Sequence, residues 1–363
     1  MTPSQRALLE LLEIDLPIIQ APMAGVSTPT MAAAVANAGA LGSLGVGATD
    51  AAGARRMIAA MRQQSRRSLN VNVFCHAPAR TDHAQHAQHA QHAQETAWIE
   101  RLRPEFDRFG ATPPDSLQEI YKSFVEDDEM LAALIETRPK VVSFHFGVPS
   151  PARVDALRSA GIVLLGSATN LREARILEDA GLHAVVAQGY EAGGHRGVFD
   201  PDAEDEQLGA MDLTRLLVRE LRIPVIAAGA IMDGATIAAV LRLGASAAQL
   251  GTAFVGCVES QADAGYRSAL TSEAAHHTVM TRAISGRPAR CLANRFTALG
   301  AGVSAREIPA YPVAYDAAKA LNAAAKAAGE AGFGAQWAGQ GAPLARSLPA
   351  GDLVAVLSRE MQG

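Results

Sequence analysis

Pro224-Val-Ile-Ala-Ala-Gly-Ala-Ile-Met-Asp-Gly-Ala-Thr-Ile-Ala-Ala-Val-Leu-Arg-Leu-Gly-Ala-Ser-Ala-Ala-Gln-Leu-Gly251 reads as strand, break, helix and strand in succession. The β-rich run Val225–Ala228 stops at a glycine, Asp233-Gly234 opens an amphipathic stretch to Leu243, and Ala247–Leu250 is β-rich again. A helix joining two short apolar strands is the signature of a βαβ unit, whose strands lie parallel. The same alternation extends toward the N-terminus. Strands are predicted at Leu16–Ala21, Ala40–Val46, Leu69–Phe74, Val141–Phe146, Ile162–Ser167 and Ala184–Gln188. Helical stretches are predicted at Pro29–Ala38, Ala51–Ser65, Pro151–Ala160, Leu171–Ala180, Leu213–Leu221 and Gly234–Leu243. Eight strands, most followed by a helix, predict an α/β fold closed as a TIM (β/α)8 barrel rather than an open doubly wound sheet.

Two regions break the repeat. Residues 77–140 separate the third and fourth strands and contain the tract His83-Ala-Gln-His-Ala-Gln-His-Ala-Gln-His-Ala-Gln94. After the eighth strand the chain continues to Gly363, with a helical segment expected from Val313 to Ala331. The expected organisation is a barrel over residues 1–256, carrying a lid insertion at about 77–140, and a mainly helical C-terminal region over 257–363. A barrel's active site sits at the C-terminal ends of its strands, so an insertion after the third strand is placed to cover it. The histidine tract, without Asp, Glu or Cys, reads as repeat expansion in a solvated segment rather than as a metal site.

Composition narrows the function. The chain has 363 residues, 49% of them hydrophobic, and 32 Lys and Arg against 37 Asp and Glu give a net charge of −5. No basic run suggests a phosphate-tracking stripe, which argues against nucleic acid as a partner. Cys75, Cys257 and Cys291 are odd in number and widely spaced, so neither a disulfide framework nor a thiolate zinc site is expected, and a reducing cytoplasm fits. No basic n-region leads into an apolar h-region near Met1, and no apolar run reaches about 18 residues, so neither a secretory signal nor a membrane span is expected.

The strand ends hold the chemistry. After the sixth strand, Ala187-Gln-Gly-Tyr-Glu-Ala-Gly-Gly-His-Arg-Gly197 combines four glycines with His195, so backbone amides can approach an anion or flat ring while imidazole faces the cavity. The loops after the seventh and eighth strands, at Gly229 and at Gln249-Leu-Gly-Thr252, occupy the positions where barrels bind phosphate, with a helix N-terminus near Gly234. A turn without function is the alternative for each. The ends of the first and third strands add Gln20 and Asn72, which can orient a ring edge or satisfy the backbone.

Taken in order, Gln20-Ala-Pro-Met-Ala-Gly25, Asn72-Val-Phe74, Ser143-Phe-His-Phe-Gly147, Glu191-Ala-Gly-Gly-His-Arg-Gly197, Ala227-Ala-Gly229 and Gln249-Leu-Gly-Thr252 resemble the FMN-dependent nitronate monooxygenases, formerly called 2-nitropropane dioxygenases. The resemblance spans nearly the whole chain. The Glu-Ala-Gly-Gly-His block is shared with flavin-type enoyl-ACP reductases and NAD(P)H:quinone reductases. The His-Phe-Gly block, Tyr121-Lys122 and Tyr311-Pro-Val-Ala-Tyr315 with Lys319 resemble the class I nitronate monooxygenases more.

The resemblance implies FMN held by Ala21, Pro22, Met23, Asn72, Lys122, Gln188, Gly193, Gly194, Gly229, Gln249, Leu250, Gly251 and Thr252, with the phosphate near Gly229 and Gly251. It implies His195 as the active-site histidine, with Tyr311, Tyr315 and Lys319 lining the substrate pocket; at spacing four, these three are expected on one helix face. His145, inside the fourth strand, fits a pocket role and a buried core role equally. Where many relatives read Gly-Gly-Ile this chain has Gly229-Ala-Ile231. The implied reaction takes a small alkyl nitronate, with propionate 3-nitronate foremost, and O2 to an aldehyde or oxo-acid plus nitrite, a detoxification. Lys319, Lys122 or a protonated His195 would hold the anion, and no metal is required. The expected partners are thus a small anionic nitronate and O2, without nucleic acid or membrane, on a monomer or homodimer. An FMN-dependent NAD(P)H:quinone or enoyl-thioester reductase is the alternative, and a non-enzymatic flavin- or partner-binding barrel a third.

Overall fold

A computed structural model describes residues 1–79 and 85–363. The chain begins with α1 (Pro3–Leu12), β1 (Ile18–Gln20), α2 (Pro29–Asn37), β2 (Gly42–Gly45), α3 (Ala51–Gln64) and β3 (Leu69–Phe74). The insertion supplies α4 (Gln85–Arg108) and α5 (Asp128–Thr137). The barrel resumes with β4 (Val141–His145), α6 (Pro151–Ser159), β5 (Val163–Ala168), α7 (Leu171–Asp179) and β6 (Ala184–Gln188). A short β7 (Gly194–His195) precedes α8 (Ala210–Glu220), β8 (Val225–Ala228), α9 (Gly234–Arg242), β9 (Ala247–Leu250) and α10 (Thr252–Val255). The remainder forms α11 (Ala264–Leu270), β10 (Thr278–Thr281), β11 (Ala289–Leu292), α12 (Arg295–Leu299), α13 (Val313–Ala327) and α14 (Ala350–Glu360).

Eight parallel strands run in the order β1-β9-β8-β6-β5-β4-β3-β2. A bridge between Ile19 and Leu41 joins the two ends, so the sheet is a TIM barrel as expected. Its strands are buried nearly along their whole length because the core fills one face and helices cover the other. Side-chain caps start the surrounding helices: Thr28, Asp50, Asn170 and Asp233 each accept a hydrogen bond from a first-turn amide of α2, α3, α7 and α9. At one end Leu8, Leu9 and Leu12 of α1 join a core with Ile19, Leu41, Val141, Leu165, Val186 and Ile226.

Above the barrel, Trp98, Leu102 and Phe106 of α4 pack with Val313, Ala317 and Leu321 of α13 and with Phe333. The insertion and the C-terminal segment therefore share one apolar core. Of the histidine tract, residues 83–84 lie outside the described residues and the rest enters α4; His89 and His92 are exposed. Among the described residues no helix is long and apolar enough to cross a membrane.

Candidate functional site

A cavity of about 430 Å³ opens at the C-terminal ends of the strands. Its floor is built by side chains that fix backbone. Gln20 accepts a hydrogen bond from the Ser43 amide at 2.8 Å and donates to Ser27 Oγ at 2.8 Å, which pins the turn from Ala21 to Val26 along the cavity wall. Asn72 donates to the carbonyl and hydroxyl of Ser143 at 3.1 and 3.0 Å, tying β3 to β4. Gln188 spans the loop after β6: its Nε2 donates to the His195 carbonyl at 2.9 Å and its Oε1 accepts from the Gly197 amide at 2.7 Å.

That loop is held from three sides. Arg196 makes a paired ion bridge to Asp205 at 2.8 Å and donates to the Gln188 carbonyl at 2.7 Å. Glu191 accepts from the Ala210 amide at 2.9 Å, at the start of α8. Gly193 lies so close to the segment before α14 that a Cβ there would stand 2.4 Å from the Gly339 nitrogen, so only glycine fits. β7 pairs antiparallel with β11, setting His195 opposite Ala289.

The structure brings most of the named residues together. Ala21, Pro22, Met23, Asn72, His145, Gln188, Gly193, Gly194, His195, Gly229, Gln249, Gly251, Thr252, Tyr311, Tyr315 and Lys319 all line the cavity. Lys122 does not; its side chain turns outward, 59% exposed, to Asp127 at 3.4 Å. Leu250 points away, into a core with Ile18 and Val240. Two geometric expectations also need correction. Tyr311 precedes α13 rather than lying on it, so the chain's bend, not one helix face, brings it beside Tyr315 and Lys319. The α9 N-terminus near the seventh-strand loop is already occupied: Asp233 accepts from the Thr236 amide at 2.7 Å and Glu360 of α14 accepts from the Gly234 amide at 2.9 Å. Two carboxylates thus sit at that helix start, and of these two loops it is the backbone at Gly229 and Gly251 that lines the cavity.

Aromatic rings enclose His195. Its ring centre lies 5.0 Å from that of Trp337, 5.4 Å from Tyr311 and 5.6 Å from Phe146. Tyr121 of the insertion faces Tyr315 at 5.9 Å, and the Lys319 ammonium sits 4.7 Å above the Tyr121 ring. Sequence reading missed Trp337 and Tyr266, whose hydroxyl donates to the Trp337 carbonyl, because neither sits at a strand end. It also missed His76, which is fully buried against Tyr311 at 4.9 Å. A signal was present in His76 following the third strand by two residues.

The electrostatics overturn one expectation. Burial first, then the neighbouring His145, Arg287 and His76, push the His195 imidazole down to about 3, so it is neutral rather than a cation. Burial, with Arg287 and Arg196, likewise takes His145 down to about 4. The network assigns one tautomer. Carbonyls only accept, so the His145 nitrogen 3.2 Å from the His195 carbonyl, Nε2, carries the proton. Ser285 Oγ stands 2.9 Å from His195 Nε2 and 3.3 Å from the Arg287 carbonyl, so its proton can serve either acceptor. Among the described residues Lys319 is the cation that lines the cavity, held below its ordinary range by burial, and no carboxylate lines it. Burial raises the phenols of Tyr121, Tyr311 and Tyr315, which stay protonated donors.

Such a cavity, cationic and aromatic and with no carboxylate among its described lining residues, suits a small anion. The profile of the family described as nitronate monooxygenase matches residues 5–360. The chain belongs to the nitronate monooxygenase family. It is 61% identical to the nitronate monooxygenase of Paraburkholderia phytofirmans, over 99% of this chain and 95% of that one. The nitronate monooxygenase of Pseudomonas aeruginosa is 51% identical over 97% and 98%. Among solved structures, nitroalkane oxidase from Streptomyces ansochromogenes is 41% identical, with a TM-score of 0.87 and 98% of both chains covered. FabK from Thermotoga maritima is 28% identical with a TM-score of 0.71, covering 98% of this chain and 96% of its own. Family membership makes the protein an oxidoreductase enzyme.

Proposed function

We propose that the protein is an FMN-dependent nitronate monooxygenase that oxidises small alkyl nitronates, foremost propionate 3-nitronate, with O2 to an aldehyde or oxo-acid plus nitrite, and so removes a toxic anion. The observation that carries this reading is the pairing of the cavity-lining ammonium of Lys319 with two imidazoles too weakly basic to take a carbon-bound proton. A neutral nitroalkane would need a base whose pKa lies near the working pH. A nitronate arrives already deprotonated and needs only to be bound.

The residues fit FMN. A Cβ at Gly251 would emerge 3.5 Å from the Ala21 Cβ and 3.8 Å from the Met23 sulfur, both in the cavity wall, so glycine there keeps room for a ring or phosphate. Among the described residues no lining carboxylate would repel the phosphate. Ala21, Pro22, Met23, Asn72, Gln188, Gly193, Gly194, Gly229, Gln249, Gly251 and Thr252 would hold the group, Gly229 and Gly251 at its phosphate. When bound, FMN supplies the electron-accepting chemistry. Lys319 draws the nitronate in, the hydroxyls of Tyr311 and Tyr315 donate to its oxygens, and Trp337 and Phe146 keep water from the layer around His195.

Visible spectra of the purified protein, recorded without oxygen before and after NADH or propionate 3-nitronate, test this. Flavin absorption that changes with nitronate and ignores NADH is the expected result. Rapid bleaching by NADH alone would make the protein the quinone or enoyl-thioester reductase that the likeness to FabK keeps in view. No flavin signal after reconstitution with FMN would remove the cofactor assignment.

A further inference from the structure

Between β10 and β11 runs Ser285-Gly-Arg-Pro288, and the first residues of β11 are Ala289 and Arg290. Arg287 within this connection is 3% exposed, donates to the Val198 carbonyl, and leaves Nε without a partner among the described residues. Its guanidinium carbon stands 4.3 Å from the centre of the Phe146 ring. That ring in turn meets His145 at 4.5 Å, Tyr311 at 5.4 Å and His195 at 5.6 Å, which line the cavity, so Arg287 lies behind Phe146 and these three residues. The carboxylates on its side are engaged elsewhere. Glu173 accepts from the Thr169 amide and hydroxyl and the Phe199 amide, Asp202 pairs with Arg282 at 2.8 Å, and Asp205 pairs with Arg196. A buried charge without a partner is costly, and proteins retain one where something else balances it.

We propose that Arg287 is a positioning residue that gives the cavity its positive potential, ordering the Ser285–His195 hydrogen bond from behind Phe146 and supplying the charge that a small planar monoanion balances on the far side. The identity of the anion rests on the nitronate reading above. The backbone geometry agrees: the Arg287 amide and carbonyl both meet Ser285 Oγ, at 3.4 and 3.3 Å, and that oxygen holds His195. The electrostatics agree as well, since the guanidinium depresses His76, His145 and His195 together, with Arg196 also acting on His145.

The test compares the wild type with R287K and R287Q, each loaded with FMN, by histidine-selective NMR titration of the imidazoles and by steady-state kinetics with propionate 3-nitronate. The wild type is expected to keep His145 and His195 neutral at pH 5; protonation of either near 6.5 would overturn the proposal without any variant. In R287Q their titration is expected to move upward and KM to rise about tenfold, a loss of about 1.4 kcal/mol of anion binding, with kcat changed less than threefold. R287K, which keeps the charge, should lie nearer the wild type. Imidazoles that titrate alike in R287Q and wild type, or an unchanged KM, would overturn the assignment. If no variant, nor the wild type, oxidises the nitronate, the proposed substrate fails, while the imidazole titrations still decide the role of Arg287.

Discussion

His145 Nε2 donates to the backbone carbonyl of His195 across 3.2 Å, so the end of β4 and the loop after β6 share one hydrogen bond at the centre of the site. The Gln188 amide reaches the same carbonyl at 2.9 Å. His195 is thereby held by its backbone, and its side chain can be changed without releasing the loop.

His195→Asn should therefore lower kcat by about a hundredfold, the scale of one lost polar contact at a reacting centre, while flavin content stays at the wild-type level. Unchanged turnover in the flavin-loaded variant would remove His195 from the chemistry.

Stability should fall on the acid side. His76, His145 and His195 are pushed from 6.5 to about 4, about 4 and about 3. Between those values the unfolded chain binds more protons than the folded one, so their contribution is complete above pH 6.5 and is lost as pH drops toward 3. Thermal unfolding from pH 8 to pH 4 should give a flat Tm down to about 6.5 and a steepening decline below it. A Tm independent of pH between 6 and 4 would contradict the buried neutral imidazoles.

Lys319→Gln should act on binding. Losing this cation is expected to raise KM for an anionic substrate by about 10- to 150-fold, the range for a hydrogen bond to a charged group, with a smaller change in kcat. In the wild type the depressed ammonium should bring the alkaline fall in kcat/KM below the ordinary lysine value of 10.5. Equal salt dependence of KM in variant and wild type would show that Lys319 does not meet the substrate's charge.

Ala230 follows Gly229 with φ at 49°, in the left-handed region. The methyl group costs about 1–2 kcal/mol there, against about 0.5–1 kcal/mol for the extra freedom of glycine in the unfolded chain. Ala230→Gly should raise Tm by about 1–3 °C, measured by differential scanning calorimetry. A decrease would mean that the methyl's packing in the cavity wall outweighs the strain.

The barrel was legible because each strand is a short buried run ended by a glycine or polar break, as at Val225–Ala228 and Ala247–Leu250. α1 was not read as an element, although Leu8, Leu9 and Leu12 give it an apolar face. β7 has two residues and no period to detect; only pairing with β11 makes it a strand. Strand-end logic found the glycines and His195, whereas Trp337, Ser285 and Arg287 come from the C-terminal region, where contact depends on tertiary folding. Charge state was least legible. The neutrality of His195 comes from burial and from Arg287, far away in the chain, and Lys122 was drawn outward by Asp127.

The hydrogen bond from the Gly234 amide to Glu360 has a practical side. Glu360 also grips Arg346 at 2.8 Å, so the last helical turn buckles the strap that ends the chain onto the turn leading out of the cavity wall. Engineering of α14 is therefore asymmetric: removing Glu360 would loosen the turn after the Gly229 loop from a distance, whereas changes after Glu360 leave both of these contacts in place.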